Sequence, residues 1–157
     1  MNIKLDNILC PVDFSETANL AAQYAVAFAR MNKARLTLLH VVAPPVTALP
    51  SEAGMLAMPQ ADIREITTAC MERLDALITE LKATDMEIDC QVLSGIPYNE
   101  IVQYAETSGS DMIVMGSRGR TGLSHLLLGS VAEHVVRKAT CPVLTVKGYK
   151  RAQSDAG

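Results

Sequence analysis

The chain has 157 residues, 49% of them apolar, and a formal net charge of -3. That length suits one domain, able to bury a core without disulfides or metals. A mildly acidic chain with 4% aromatic residues argues against general nucleic-acid binding, and no run approaches the ~20 apolar residues of a membrane span. The opening Met-Asn-Ile-Lys-Leu-Asp lacks the apolar region of a signal peptide, so the cytoplasm is the expected compartment.

Asn7 to Val12 reads as a first strand, apolar on both faces as in a parallel sheet covered by helices. Pro11 cannot donate to a ladder, so regular pairing should end near it. Asp13 and Glu16 then stand at capping-box spacing, with Asp13 as the expected helix cap. The same carboxylate would sit at the carboxyl end of a central strand, where open α/β sheets bind ligands. Ala18, Ala21, Ala22, Ala25, Phe28 and Ala29 share one face of the helix that follows, and alanines allow close approach to a sheet.

Ala34 to Val42 is a second strand, and His40 within it reads as structural. From Ala43 to Gln60 the periodicity collapses around Pro44, Pro45, Pro50, Gly54 and Pro59. A connection this long is a lid, a binding loop or disordered. Asp62 to Leu81 returns to helical spacing, with Ile63, Ile66, Cys70, Leu74, Leu77, Ile78 and Leu81 in one stripe. Met86 to Leu93 alternates as a half-exposed strand near a sheet edge. Pro97 opens a third helix, with Ile101, Val102 and Ala105 inward.

Asp111 to Met115 is a fourth buried strand, and it runs into Gly116-Ser-Arg-Gly-Arg-Thr-Gly-Leu-Ser-His-Leu-Leu-Leu-Gly-Ser-Val131. Ser130 and Glu133 have capping-box spacing at the head of the next helix, whose inner face is Val131, Ala132, Val135, Val136 and Ala139. Strand, glycine-rich loop and helix in this order suit a phosphate, because free N–H groups and the helix dipole favour an anion there. Arg118 and Arg120 add positive charge. An ordinary flexible connection would share the pattern. The loop lacks the Gly-x-x-x-x-Gly-Lys-Ser/Thr of a Walker A site. It also follows the wrong strand for a dinucleotide fingerprint. Leu126-Leu127-Leu128 reads as an apolar return of the loop onto the core. Pro142 to Val146 is a fifth strand, followed by a polar tail. Cys10, Cys70, Cys90 and Cys141 show no metal or redox spacing and read as reduced thiols packed as small hydrophobes.

Alternation of this kind implies an α/β fold: a three-layer α/β/α sandwich with a five-stranded parallel sheet, Rossmann-like, in strand order 3-2-1-4-5. The switch point then falls between strands one and four. Asp13 and the Gly116 loop meet at those two carboxyl ends, in one crevice.

With these residues assembled, the chain resembles the universal stress proteins. Gly116, two residues, Gly119, nine residues and Gly129-Ser130 match that family's ATP-binding signature. Pro-Val-Asp-Phe-Ser, Leu-His-Val, Asp-Met-Ile-Val-Met-Gly and Cys-Pro-Val-Leu-Thr-Val are also similar. The resemblance covers about residues 3 to 147, implying one domain over 1–147 and a polar tail over 148–157. It implies ATP as ligand, with Asp13 near the ribose and Pro11, Val12 and Val41 lining the adenine pocket. Met115 and Gly116 would close that pocket, and Gly119, Gly129, Ser130 and Val131 would hold the phosphates. Arg118 falls at a variable signature position, where its charge suits phosphate. Magnesium can accompany the triphosphate, although no dedicated carboxylate cage is evident. A homodimer through Pro142, Val143, Leu144, Thr145 and Val146 is implied, with neither nucleic acid nor membrane as partner.

The implied function is a stress-response or signalling module. A slow ATPase or phosphotransferase is the alternative, with His125 as a candidate base, but no second catalytic group is evident. A dimeric interaction protein with an unused pocket is the third reading.

Overall fold

The computed structural model describes residues 3–44, 62–118 and 128–148. Five strands form one parallel sheet: β1 (Asn7–Pro11), β2 (Arg35–Val42), β3 (Ile88–Ser94), β4 (Met112–Gly116) and β5 (Val143–Val146). Their order is β3-β2-β1-β4-β5, as expected from the alternation of elements. Four helices connect them: α1 (Glu16–Asn32), α2 (Ile63–Glu80), α3 (Pro97–Thr107) and α4 (Ser130–Lys138).

The pleat sends successive side chains to opposite faces, so each central strand feeds two cores. Ile8, Cys10, Leu36, Leu38 and Val114 pack with the alanine face of α1 and with Leu74 and Leu77 of α2. Leu9, Leu39, Ile113 and Met115 pack with Ile101 and Ala105 of α3 and Ala132 and Val135 of α4. This division makes the three layers. The alanine stripe of α1 is fully used, with Ala21, Ala22, Ala25 and Ala29 at 0% exposure. Such small side chains bring α1 close to β4. A Cβ built on Gly116 would lie 3.0 Å from the backbone of Thr17 and Ala18.

The α2 stripe is buried only at Cys70, Leu74 and Leu77, while Ile63 at its head is 65% exposed. Asp62 caps α2 by accepting from the Arg64 amide at 2.9 Å. Pro97 takes the first position of α3, where its missing N–H costs nothing. The edge position expected for the third strand is β3, whose residues are at most half-buried.

The four cysteines are free thiols. Burial pushes the Cys10 thiol up to about 12. Cys90 is pushed up to about 11, by burial first and then by Asp75 and Asp89. Both are therefore protonated near neutrality and poor nucleophiles. Among the described residues no helix is long and apolar enough to cross a membrane.

Candidate functional site at the β1–β4 switch point

The chain leaves β1 toward one side of the sheet and β4 toward the other, so their carboxyl ends diverge. A cavity of about 490 Å3 opens there, within the usual range for small-molecule sites. Pro11, Val12 and Asp13 form the β1 wall, and Met115, Gly116 and Arg118 form the β4 wall. Leu39, His40, Val41 and Ala43 come from β2 and the residue beyond it, and Pro97 and Ile101 from α3. Gly129, Ser130, Val131 and Ala132 close the cavity with the head of α4. The lining is mostly apolar, with Asp13, His40, Arg118 and Ser130 as its polar side chains.

The β1–α1 turn is held by its own side chains. Val12 keeps one last sheet bond, its amide donating to the Leu39 carbonyl at 2.8 Å. The Asp13 carboxylate accepts from the Ser15 amide at 2.9 Å, and the Ser15 hydroxyl accepts from the Ala18 amide at 3.2 Å. The cap of α1 is thus Ser15, not Asp13. The spacing misled because Phe14 takes a left-handed backbone, with φ of 64°, which delays the helix until Glu16. Asp13 instead makes an Asx turn at the cavity wall.

His40 is 9% exposed, and its Nδ1 lies 2.7 Å from the Val12 carbonyl. A carbonyl only accepts, so Nδ1 carries the proton. The structural role expected of His40 fits this bond, but the ring also lines the cavity.

Across the crevice the two ends of the glycine segment are tied together. The Gly129 amide donates to the Ser117 carbonyl at 2.6 Å, and the Ser117 amide donates to the Val146 carbonyl at 2.8 Å. Thr17, in the first turn of α1, donates its hydroxyl to the Arg118 carbonyl at 2.5 Å. The β4 exit is therefore fixed both to β5 and to α1. The Ser117 hydroxyl is buried and has no hydrogen-bond partner among the described residues.

Helix α4 begins differently from α1. Its cap is Gly129, and among the described residues no side chain caps the amides of its first turn. The expected Ser130–Glu133 capping box does not form. Ser130 is already the first helical residue, and Glu133 pairs with Arg137 at 2.9 Å. The positive end of α4 faces the cavity with no side-chain acceptor among the described residues. Among the described residues no group of three or more His, Cys, Asp or Glu could hold a metal ion, and Asp13 is the acidic residue lining the cavity.

A profile of the universal stress protein family matches residues 4–147. The chain belongs to the universal stress protein family. Universal stress protein MJ0577 of Methanocaldococcus jannaschii is 34% identical to it, over 94% of this chain and 98% of the relative. The solved structure of MJ0577 superposes with a TM-score of 0.78, covering 94% of this chain and 99% of that one. The universal stress protein UspA from Lactobacillus plantarum is 27% identical, with a TM-score of 0.76 and coverage of 92% and 99%. A universal stress protein of Archaeoglobus fulgidus, solved in complex with dAMP, shares the fold at 21% identity, with a TM-score of 0.65 and coverage of 93% and 100%.

In this universal stress protein, ten of the residues selected from sequence line one cavity: Pro11, Val12, Asp13, Val41, Met115, Gly116, Arg118, Gly129, Ser130 and Val131. Gly119, Arg120, His125, Leu126, Leu127 and nearly all of the 43–60 connection lie outside the described residues. Leu128, the last residue of the apolar return, packs on the α3–α4 core. Sequence reasoning missed Ala18, Leu39, Ala43, Pro97, Ile101 and Ala132 as cavity residues. They look like ordinary core positions, and only strand order brings them to one place. The Thr17–Arg118 bond was also missed, since no local spacing links residues 101 positions apart.

Proposed function

We propose that this protein binds ATP in the crevice between β1 and β4 and acts as a stress-response or signalling module. The observation that carries the reading is the head of α4, with no side-chain cap among the described residues, at a mostly apolar cavity with Asp13 on the facing wall. An adenine ring suits the floor of Leu39, Val41, Ile101 and Met115, and a ribose hydroxyl suits the Asp13 carboxylate. Phosphates suit the first-turn amides of α4 and the Arg118 guanidinium. The Archaeoglobus fulgidus complex with dAMP supports adenine as the base this fold accommodates. The preference for a polyphosphate rests on the long Gly116–Gly129 segment and its arginines. The donor set suits magnesium only as a passenger of the phosphates, since among the described residues Asp13 alone supplies a lining carboxylate.

We further propose a homodimer through β5 in the cytoplasm. Among the described residues β5 pairs only with β4, so its other edge presents unpaired backbone groups.

The test is to denature freshly purified protein and identify any released small molecule by mass spectrometry, with calorimetric titration of the emptied chain. ATP near one per chain supports a slow-turnover binding module. ADP moves the weight to hydrolysis. An empty protein that also fails to bind added ATP overturns the reading.

A further inference from the structure

Phe14, next to Asp13 at the cavity wall, is the residue whose conformation most needs an explanation. A bulky side chain at φ 64° is unfavourable and persists only where its surroundings enforce it. Two side chains from different elements do so. On one side the Phe14 ring lies 4.7 Å from the His40 ring, tilted by 40°. On the other the Arg73 guanidinium of α2 sits 3.8 Å from the ring centroid. His40 is bonded to the Val12 carbonyl and lines the cavity. Arg73, Phe14, His40 and the cavity wall thus form one continuous contact path. Phe14 also stands between Asp13, at the wall, and Ser15, which caps α1.

We propose that Arg73 is a positioning residue for the nucleotide site. Through the Phe14 ring it holds the β1–α1 turn in its left-handed form, which aims Asp13 and the Val12 backbone at the ligand. The inference rests on the ATP reading above, and it adds α2 to the elements that set affinity. Arg73 is not among the described residues that line the cavity, so its proposed effect passes through Phe14.

The experiment uses the full chain, with ATP titrated calorimetrically into the wild type, Arg73→Ala, Arg73→Lys, Phe14→Leu and the Arg73→Ala/Phe14→Leu pair. Arg73→Ala should weaken binding roughly two- to fivefold, the size of an exposed cation–π contact. Arg73→Lys should recover part of the loss, because an ammonium still sits on the ring. In the Phe14→Leu background, removing Arg73 should change affinity no further. The His40 ring resonances, read by NMR without nucleotide, should shift in Arg73→Ala as the Phe14 ring moves. Wild-type affinity in Arg73→Ala, an equal loss in the Phe14→Leu background, or unmoved His40 resonances would each overturn the clamp and leave the ATP reading standing. A wild type that binds no ATP would overturn both, whatever the resonances do.

Discussion

The two turns that face each other across the crevice are built on opposite plans. The β1–α1 turn satisfies its own helix: Ser15 caps α1, Asp13 braces Ser15, and ring contacts hold Phe14 between them. The β4–α4 connection secures its ends but leaves its helix open. Ser117 and Gly129 are joined backbone to backbone, while among the described residues no side chain caps the first turn of α4. Both helices point positive ends toward the same crevice, yet among the described residues only α1 is answered by a side-chain oxygen. An anion entering here gains most at α4. On the proposed ATP reading, the oxygen-bearing wall suits a sugar and the donor-rich wall suits phosphate.

Gly129→Val should have the largest effect. The Gly129 backbone, at φ -72° and ψ 161°, is open to any residue, so conformation does not require glycine there. If the position is kept small for a phosphate, valine should lower ATP affinity by about a hundredfold or more, or about 3 kcal/mol. The far-ultraviolet circular dichroism should remain native. Wild-type affinity in a folded variant would remove α4 from the site.

Gly116→Ala probes the bridge between the walls. The new Cβ would meet the α1 backbone at 3.0 Å, and backbone cannot swing aside as a flexible side chain can. Overpacking of this kind costs about 1–3 kcal/mol, so the thermal midpoint should fall by several degrees. The displaced α1 should also strain the Thr17–Arg118 bond and weaken ATP binding. An unchanged midpoint would mean that α1 and β4 pack less tightly than the geometry requires.

The comparison sharpens most with two serines. Ser15→Ala removes a real cap and should cost about 1 kcal/mol of stability with little change in affinity. Ser130→Ala removes no cap, because Ser130 is exposed and already helical. It should leave stability within a few tenths of a kcal/mol and lower ATP affinity several-fold, the worth of one hydrogen bond to a charged group. Thermal melts and calorimetry on the same two proteins decide it. If both serines affect stability alone, the turns do not differ as proposed.

Much of this arrangement was legible in the sequence, and the parts that were not share a cause. Strand order followed from the alternation of elements and the handedness of crossovers, and it brought Asp13 and Gly116 to one crevice before any coordinates. The alanine face of α1 and the proline head of α3 also followed from spacing alone. Both capping boxes failed, at Asp13 and at Ser130. Capping depends on which residue first turns helical, and at Phe14 the left-handed backbone goes with ring contacts to Arg73 and His40, distant in sequence. Residues such as Ala18, Leu39 and Ala132 gave no functional signal because apolar lining and apolar core have the same composition.

The smallest effect belongs to the opposite pole of the molecule, which serves as the control for both turns. Arg30, in the last turn of α1, donates to Asp85 at 2.5 Å and to the Lys82 carbonyl at 2.9 Å. The hydrogen bond from Arg30 holds the Asp85 carboxyl below its ordinary value. A carboxylate whose folded value is depressed adds stability above its unfolded value, near pH ~4. That contribution is lost as pH falls through the folded value. Arg30→Ala should therefore lower the thermal midpoint slightly at pH 7, and the gap from wild type should narrow below pH ~4. The pair is well exposed, so the shift should be small and should shrink in high salt. ATP affinity should not change, because the pair lies at the amino ends of the strands, away from the crevice. A change in affinity here would show that α1 transmits strain along its whole length, and the two turns could then no longer be treated as separately built.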